Sequence, residues 1–423
     1  MSERRLPDDV RTHLTADVLA WWATHGPDDT HGGVLTCWDN AGTRLVSTDK
    51  YTWSQGRWAW LTARVAQAAR AGVLDLDAEQ YARWSIGTSA FVRDHALLPD
   101  GRLAYRTHQA GSPQPNPRGG LAASVFADLF AALGFAGTAQ VDPDGGWGGL
   151  ADDVLLRSAE LVAAGAAPTE PYPVPAGHGS LSLPMMLLGV GEQVHRVTGS
   201  AESADVVARA GRALVEQHIA GDDVAEMPTP DPGRRDLLIT RHRTPGHALE
   251  LVWFALHARD LLAGTGLDDV ALLTRCALRA CERGWDEEHG GLLRYVDVDG
   301  GPPRGRTLGD PYEELVTDTW DTKLWWPHAE AVYALALLEN LAPDAEVSAW
   351  SRRVADYTMA TFPEGDGREW TQIRTRTGEP LEKVVALPVK DPFHVARALL
   401  LLTELEAGSR PVPTGAAAQE GEE

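Results

Sequence analysis

Cysteine is nearly missing from this chain of 423 residues: Cys37, Cys276 and Cys281 are the whole supply. An odd number without paired metal-ligand spacing excludes a disulfide framework and a zinc ribbon, so buried free thiols are expected. Long apolar runs are missing too, and no stretch approaches the roughly 20 uninterrupted apolar residues of a membrane span. The opening MSERRLPDDVRTHL has no apolar segment after its charges, so no secretory signal is expected and a cytoplasmic location is. Positive charge is the third scarcity. With 38 Lys and Arg against 60 Asp and Glu, the net charge is -22. That balance repels phosphate backbones and anionic membranes, and no basic run overrides it locally, which argues against nucleic acid or a membrane as partner.

What is present is apolar periodicity. Twelve segments carry apolar residues at i, i+3, i+4 and i+7 between Gly- and Pro-rich breaks. They lie near 8–25, 53–72, 77–95, 121–137, 149–166, 180–198, 201–218, 245–264, 267–284, 320–341, 345–361 and 390–406. Strand-like runs are short and sit only between helices. The stretch DDTHGGVLTCWDNAG (Asp28 to Gly42) recurs as DEEHGGLLRYVDVDG (Asp286 to Gly300), with a fainter copy, EGDGREWTQIRTRTG, from Glu364 to Gly378. Each suits a short hairpin at one end of a helical array, and the recurrence of HGG where turns are needed assigns His31 and His289 to loop structure. Six helix pairs closing into a ring use every segment, so the expectation is an all-α single domain over 1–406 with short hairpins in its loops. The stretch 407–423 has too few apolar residues to fold and is expected to be disordered. Loops over 99–120, 166–179, 219–244 and 300–319 are long enough to wall a site.

Four motifs are dense in polar groups at helix starts. In YTWSQGRWAW, Trp53, Arg57 and Trp60 share a helical face, setting a guanidinium between two indoles, which suits a hydroxyl-rich ligand or a core stack. In RTPGHALELVW, Pro245 and Gly246 precede a helix on which His247 and Glu250 stand at i, i+3, where the carboxylate can orient the imidazole or hold a sugar hydroxyl. Diiron bundles use Glu-x-x-His pairs, but the order here is reversed and no second pair exists, so no metal is expected. DTWDTKLWWPHAEAVY places Lys323, Trp326 and Glu330 on one stripe, an acid and a base that want a polar cavity. In VKDPFHVARALLLL, Pro392 opens a helix on which His394 and Arg397 share a face. Two histidines thus stand at the mouths of two helices. An imidazole, with its ordinary pKa of about 6.5, is suited to removing a proton beside a carbonyl at neutral pH. Epimerisation needs one such group on each face of the carbon, and Arg57 or Arg397 could hold the enolate oxygen between them. A glycosidase would need two carboxylates flanking a bond, whereas Glu250 and Glu330 each come with a His or Lys.

From WWATHGPDDTHGGVLTCWDNAGTRLVSTDKYTWSQGR to KDPFHVARALL the chain resembles the N-acylglucosamine 2-epimerases, also called renin-binding proteins, within a superfamily that includes cellobiose 2-epimerases and mannose isomerases. The resemblance implies an (α/α)6 barrel and a ring-opening, deprotonation and reprotonation mechanism through a cis-enediol. It implies that His247 and His394 are the acid/base pair, and that Arg57, Glu250, Glu330 and Arg397 hold substrate and stabilise the intermediate; Trp53, Lys323 and Trp326 join them from the motif reading. LSLPMMLLGVGEQV, PHAE around His328 and DKYTWSQGR lean towards the acylglucosamine branch. Two positions depart from the family pattern, Asp391 in place of Gly and Ala396 in place of Pro. The resemblance further implies that no cofactor is required, that ATP could act as an activator without being consumed, and that the chain pairs as a homodimer. The competing functions are an aldose-ketose isomerase or a 2-epimerase of unmodified sugars, a barrel kept only for binding, and a glycoside hydrolase or lyase.

Overall fold

Half of the helices are buried around their whole circumference and half along one face, and this difference sorts them into two layers. Val125–Ala139 buries every residue from Val125 to Thr138. Ala201–Ala213, by contrast, buries only Ser203, Val206, Val207, Ala210 and Gly211. The computed structural model describes residues 10–385 and 387–408. The tail expected after residue 406 lies, from 409 onward, outside the described residues, as does the start of the N-terminal segment.

Twelve long helices carry the fold among the described residues. The outer layer holds α1 (10–25, with a π-helical middle at His13–Leu19), α3 (Ala78–Phe91), α5 (Trp147–Ala163), α7 (Ala201–Ala213), α9 (Val270–Gly284) and α11 (Ala345–Thr361). The inner layer holds α2 (Thr52–Arg70), α4 (Val125–Ala139), α6 (Ser182–Thr198), α8 (Pro245–His257), α10 (Trp325–Leu341) and α12 (His394–Glu406). The chain alternates between layers, each inner helix packs on the next inner one, and α12 returns to α2, so the ring closes as an (α/α)6 barrel. No helix among the described residues is long and apolar enough to cross a membrane, and all three cysteines are buried and free. Between α2 and α4 the backbones nearly touch: a Cβ on Gly56 would run into the Phe130 carbonyl, and one on Gly134 would lie 2.8 Å from the Gly56 oxygen. Arg57 is thereby held against Phe130.

All twelve expected segments contain a helix, and several start late: those expected from 121 and 267 begin at Val125 and Val270, and two more late starts bear on the cleft. The segment expected from 320 begins at Trp325, because Lys323–Leu324 forms a strand paired with Ile373–Arg374. The one expected from 390 begins at His394, whose N–H is accepted by the Asp391 carboxylate, so Pro392 lies outside the helix. The loop expected over 300–319 contains a helix of its own, Pro311–Thr319, fixed by a capping box between Asp310 and Glu313.

The repeats are tight turns. Gly32 and Gly33, and likewise Gly290 and Gly291, take positive φ of 73 to 79°, which only glycine adopts freely. Asp28 and Asp286 accept the N–H groups of the residues two and three further on. A wholly buried lysine then completes each turn. Lys50 Nζ donates to Asp28 (2.8 Å), Gly32 O (2.6 Å) and Gln109 O (2.8 Å). Lys323 Nζ donates to Asp286 (3.0 Å) and Gly290 O (2.7 Å). The third copy follows suit, with Lys390 Nζ on Asn40 O and Trp370 O and 3.4 Å from Glu369.

Removing one member of a buried ion pair leaves the other uncompensated. Lys50→Met is therefore expected to lower the unfolding free energy by about 3 kcal/mol in urea denaturation. Adding Asp28→Asn, which keeps the turn acceptor and removes the charge, is expected to recover part of that loss.

Candidate active site

The first turns of all six inner helices open on one cleft of about 1160 Å³, counted to its open mouth. Its floor carries Trp53 and Arg57 from α2, His247 and Glu250 from α8, Trp325 and Trp326 from α10, and His394 from α12. Three of the four long loops expected as walls contribute: Thr169 to Val174, Glu226 to Thr244, and Tyr312. The loop over 99–120 does not line it.

His394 is 6% exposed and held on both nitrogens. Nδ1 lies 2.6 Å from Glu330 Oε1, and Nε2 lies 3.0 Å from Arg57 Nη2. A guanidinium can only donate, so Nε2 accepts and the proton sits on Nδ1, directed at Glu330. Arg397 Nη2 is 3.3 Å from the same Nδ1; two donors cannot share a bond, and the shorter carboxylate contact decides. The Nε2 lone pair is thus aimed at the Arg57 fork and accepts from it.

His247 has a different setting. Glu226, buried in the loop before α8, places both carboxylate oxygens 3.0 Å from His247 Nδ1. Burial works against the imidazolium, but the charge and hydrogen bond of Glu226 outweigh it and raise the pKa above the ordinary 6.5. His247 keeps 26% of its side chain open to the cleft while the protein packed around it still penalises its charge. The Trp326 ring lies 5.0 Å from the His247 ring and 6.0 Å from that of His394, centroid to centroid, so one indole links both imidazoles.

The charges behind them form one network. Arg397 Nη2 donates to Glu250 Oε1 at 2.8 Å and to Glu330 Oε1 at 2.6 Å, and Trp253 Nε1 donates to Glu330 Oε2. Burial favours the neutral acid at Glu330, but Arg397, with His394, holds its carboxyl below the usual range. Arg57 Nη1 meets Asp391 at 3.0 Å, and Asp391 also accepts from the His394 N–H and Trp325 Nε1. Glu250, Glu330 and His394 bring ligand atoms within 4.8 Å of one another, and Arg397 supplies the positive charge among them.

Several sequence expectations change here. Lys323 is not on the α10 stripe and does not line the cleft; its ammonium is consumed by the Asp286 turn. Glu250 does not orient His247 but faces Arg397, and the orienting carboxylate is Glu226, which the sequence reading missed. Arg397 lies off the cleft, against Trp253 and Phe393, so Arg57 alone of the two arginines lines the cleft. The rings on Arg57 are Trp53, Phe130 and Phe393. Trp60 instead bonds Gln193.

The sequence profile of the N-acylglucosamine 2-epimerase (GlcNAc 2-epimerase) family matches residues 203–398, a span that holds both histidines. The N-acylglucosamine 2-epimerase of Homo sapiens is 27% identical over 413 residues, which is 94% of this chain and 90% of that protein. A D-mannose isomerase of Pseudomonas cannabina pv. alisalensis is 26% identical over 224 residues, 48% of this chain and 49% of that protein. The solved cellobiose 2-epimerase from Bacillus thermoamylovorans B4167 superimposes with a TM-score of 0.73 over 94% of this chain and 98% of its own, at 16% identity. That likeness is one of fold.

Glu226→Gln removes the charge that lifts His247 while leaving the burial that depresses it. The His247 ring titration, followed by NMR, is expected to move from above 6.5 in the parent to below 6.5 in the variant.

Proposed function

We propose that the chain belongs to the N-acylglucosamine 2-epimerase family and interconverts N-acyl-D-glucosamine and N-acyl-D-mannosamine by passing the C2 proton through His247 and His394. The observation that carries the assignment of roles is the pair of imidazoles in one cleft, each backed by a carboxylate on Nδ1 and both in contact with Trp326.

The open-chain sugar offers an aldehyde at C1, which acidifies the proton on C2. His394 takes that proton on Nε2 as the Arg57 N–H that Nε2 had accepted from turns to O1. The C–H electron pair moves into the C1–C2 bond and the carbonyl pair onto O1, giving an enolate. Arg57 faces the oxygen; its fork and the His394 base are neighbours, as O1 and the adjacent carbon are, and a preorganised donor there stabilises charge that develops only in the transition state. His247, held protonated by Glu226, returns a proton to C2 from the other side as the O1 pair re-forms the carbonyl. The roles of the imidazoles are then exchanged, ready for the reverse reaction. Arg397, Glu250 and Glu330 keep the base and its donor in place.

Each histidine supplies general acid/base catalysis, worth about 10²- to 10⁴-fold, so His247→Ala and His394→Ala are each expected to lower kcat for epimerisation by that factor. Proton NMR in deuterated water separates the roles. Each variant should still wash deuterium into C2 of one epimer without inverting it, and the two variants should favour opposite epimers. Undiminished inversion in either would remove the two-base reading, and deuterium at C1 of a ketose product would replace epimerisation by aldose-ketose isomerisation.

A further inference from the structure

Three arginines are the most deeply buried among the described residues, and two of them have carboxylate partners. Arg374 pairs with Glu364 and Arg397 with Glu250 and Glu330. Arg294, 6% exposed and on the cleft wall, pairs with no carboxylate among the described residues. Its Nη1 donates to Thr319 Oγ1 at 3.0 Å and its Nη2 to the Val385 carbonyl at 2.9 Å, both uncharged. Its Nε is buried without an acceptor. The Tyr295 ring lies 4.8 Å away, and the Tyr172 hydroxyl donates to the same Val385 carbonyl. Glu226, the acid on this wall, is committed to His247.

A cation withdrawn from water is ordinarily paired, because its desolvation is not repaid by neutral acceptors alone. In a chain of net charge -22, the one buried arginine that is left without an anion among the described residues opens into the substrate cleft. We propose that Arg294 receives an anionic substituent, phosphate or carboxylate, carried by the acylamino sugar at a position away from C2. The inference rests on the epimerase reading above and narrows its substrate to an acidic sugar derivative. Arg294 and His247 line the same cleft, so a sugar held with C2 at His247 occupies the space that Arg294 faces.

The test compares kcat/KM for N-acetylglucosamine, N-acetylglucosamine 6-phosphate and N-succinylglucosamine in the parent, Arg294→Met and Arg294→Lys. One acidic sugar is expected to exceed the neutral one by at least tenfold, and which one does so distinguishes phosphate from acyl carboxylate. That ratio should fall at least tenfold in Arg294→Met and be partly kept in Arg294→Lys. A ratio that favours the neutral sugar, or that Arg294→Met leaves unchanged, overturns the proposal. Calorimetric binding of the same three sugars separates it from the reading it rests on. Absence of C2 exchange with every sugar would sink the epimerase reading, yet tighter binding of an acidic sugar lost in Arg294→Met would still support the anion site, and equal binding of all three would overturn it.

Discussion

Arg397 lies buried between Glu250 and Glu330, and the placement of the reacting groups follows from that ion triad. Two carboxylates this close repel each other and would take up a proton, unless a cation stands between them. With Arg397 in place Glu330 stays ionised, and an ionised Glu330 can accept the Nδ1 proton of His394. That fixes the tautomer, which leaves Nε2 free to accept from Arg57, and Asp391 holds Arg57 from the far side while capping the helix that bears His394. Four charged residues from α2, α8, α10 and α12 thus settle one lone pair.

A second constraint acts at the level of the ring. The barrel must bring its first and last helices together, and the turn repeats contribute to that closure. Asn40, in the first repeat, donates to the Ile373 carbonyl and accepts from the Gln372 and Ile373 N–H groups. Lys390, just before α12, reaches back to the Asn40 carbonyl. The three lysines each sit within four residues of an inner helix start, so the turn that positions a lysine also positions the residues that enter the cleft.

The twelve helices were legible because burial writes itself into periodicity, whereas their division into an inner layer buried all round and an outer one buried along one face emerged only in the structure. The histidines were legible because a proline or a capping carboxylate marks a helix mouth. Lys323 was misread for an instructive reason. Its spacing to Trp326 and Glu330 fits a helical stripe, but it is the counterpart of Lys50, 22 residues after its turn aspartate where Lys323 is 37 after Asp286. The inserted helix Pro311–Thr319 hides that correspondence. Glu226 was not legible at all, since it stands in an irregular loop 21 residues before His247 and no period connects them. Arg294 likewise sits in a turn copy whose first version has Thr36 at the matching position and no cation to compare.

All six inner helices begin at the cleft, and this has an electrostatic result that no single side chain provides. The amide dipoles of a helix sum to about half a positive charge at its N-terminus, and here six such ends converge where an enolate oxygen would form. Backbone dipoles do not titrate and need no reorganisation when charge appears. The field that favours an anion is therefore the same at every pH at which the barrel is folded, and any pH dependence in the cleft is left to its side chains.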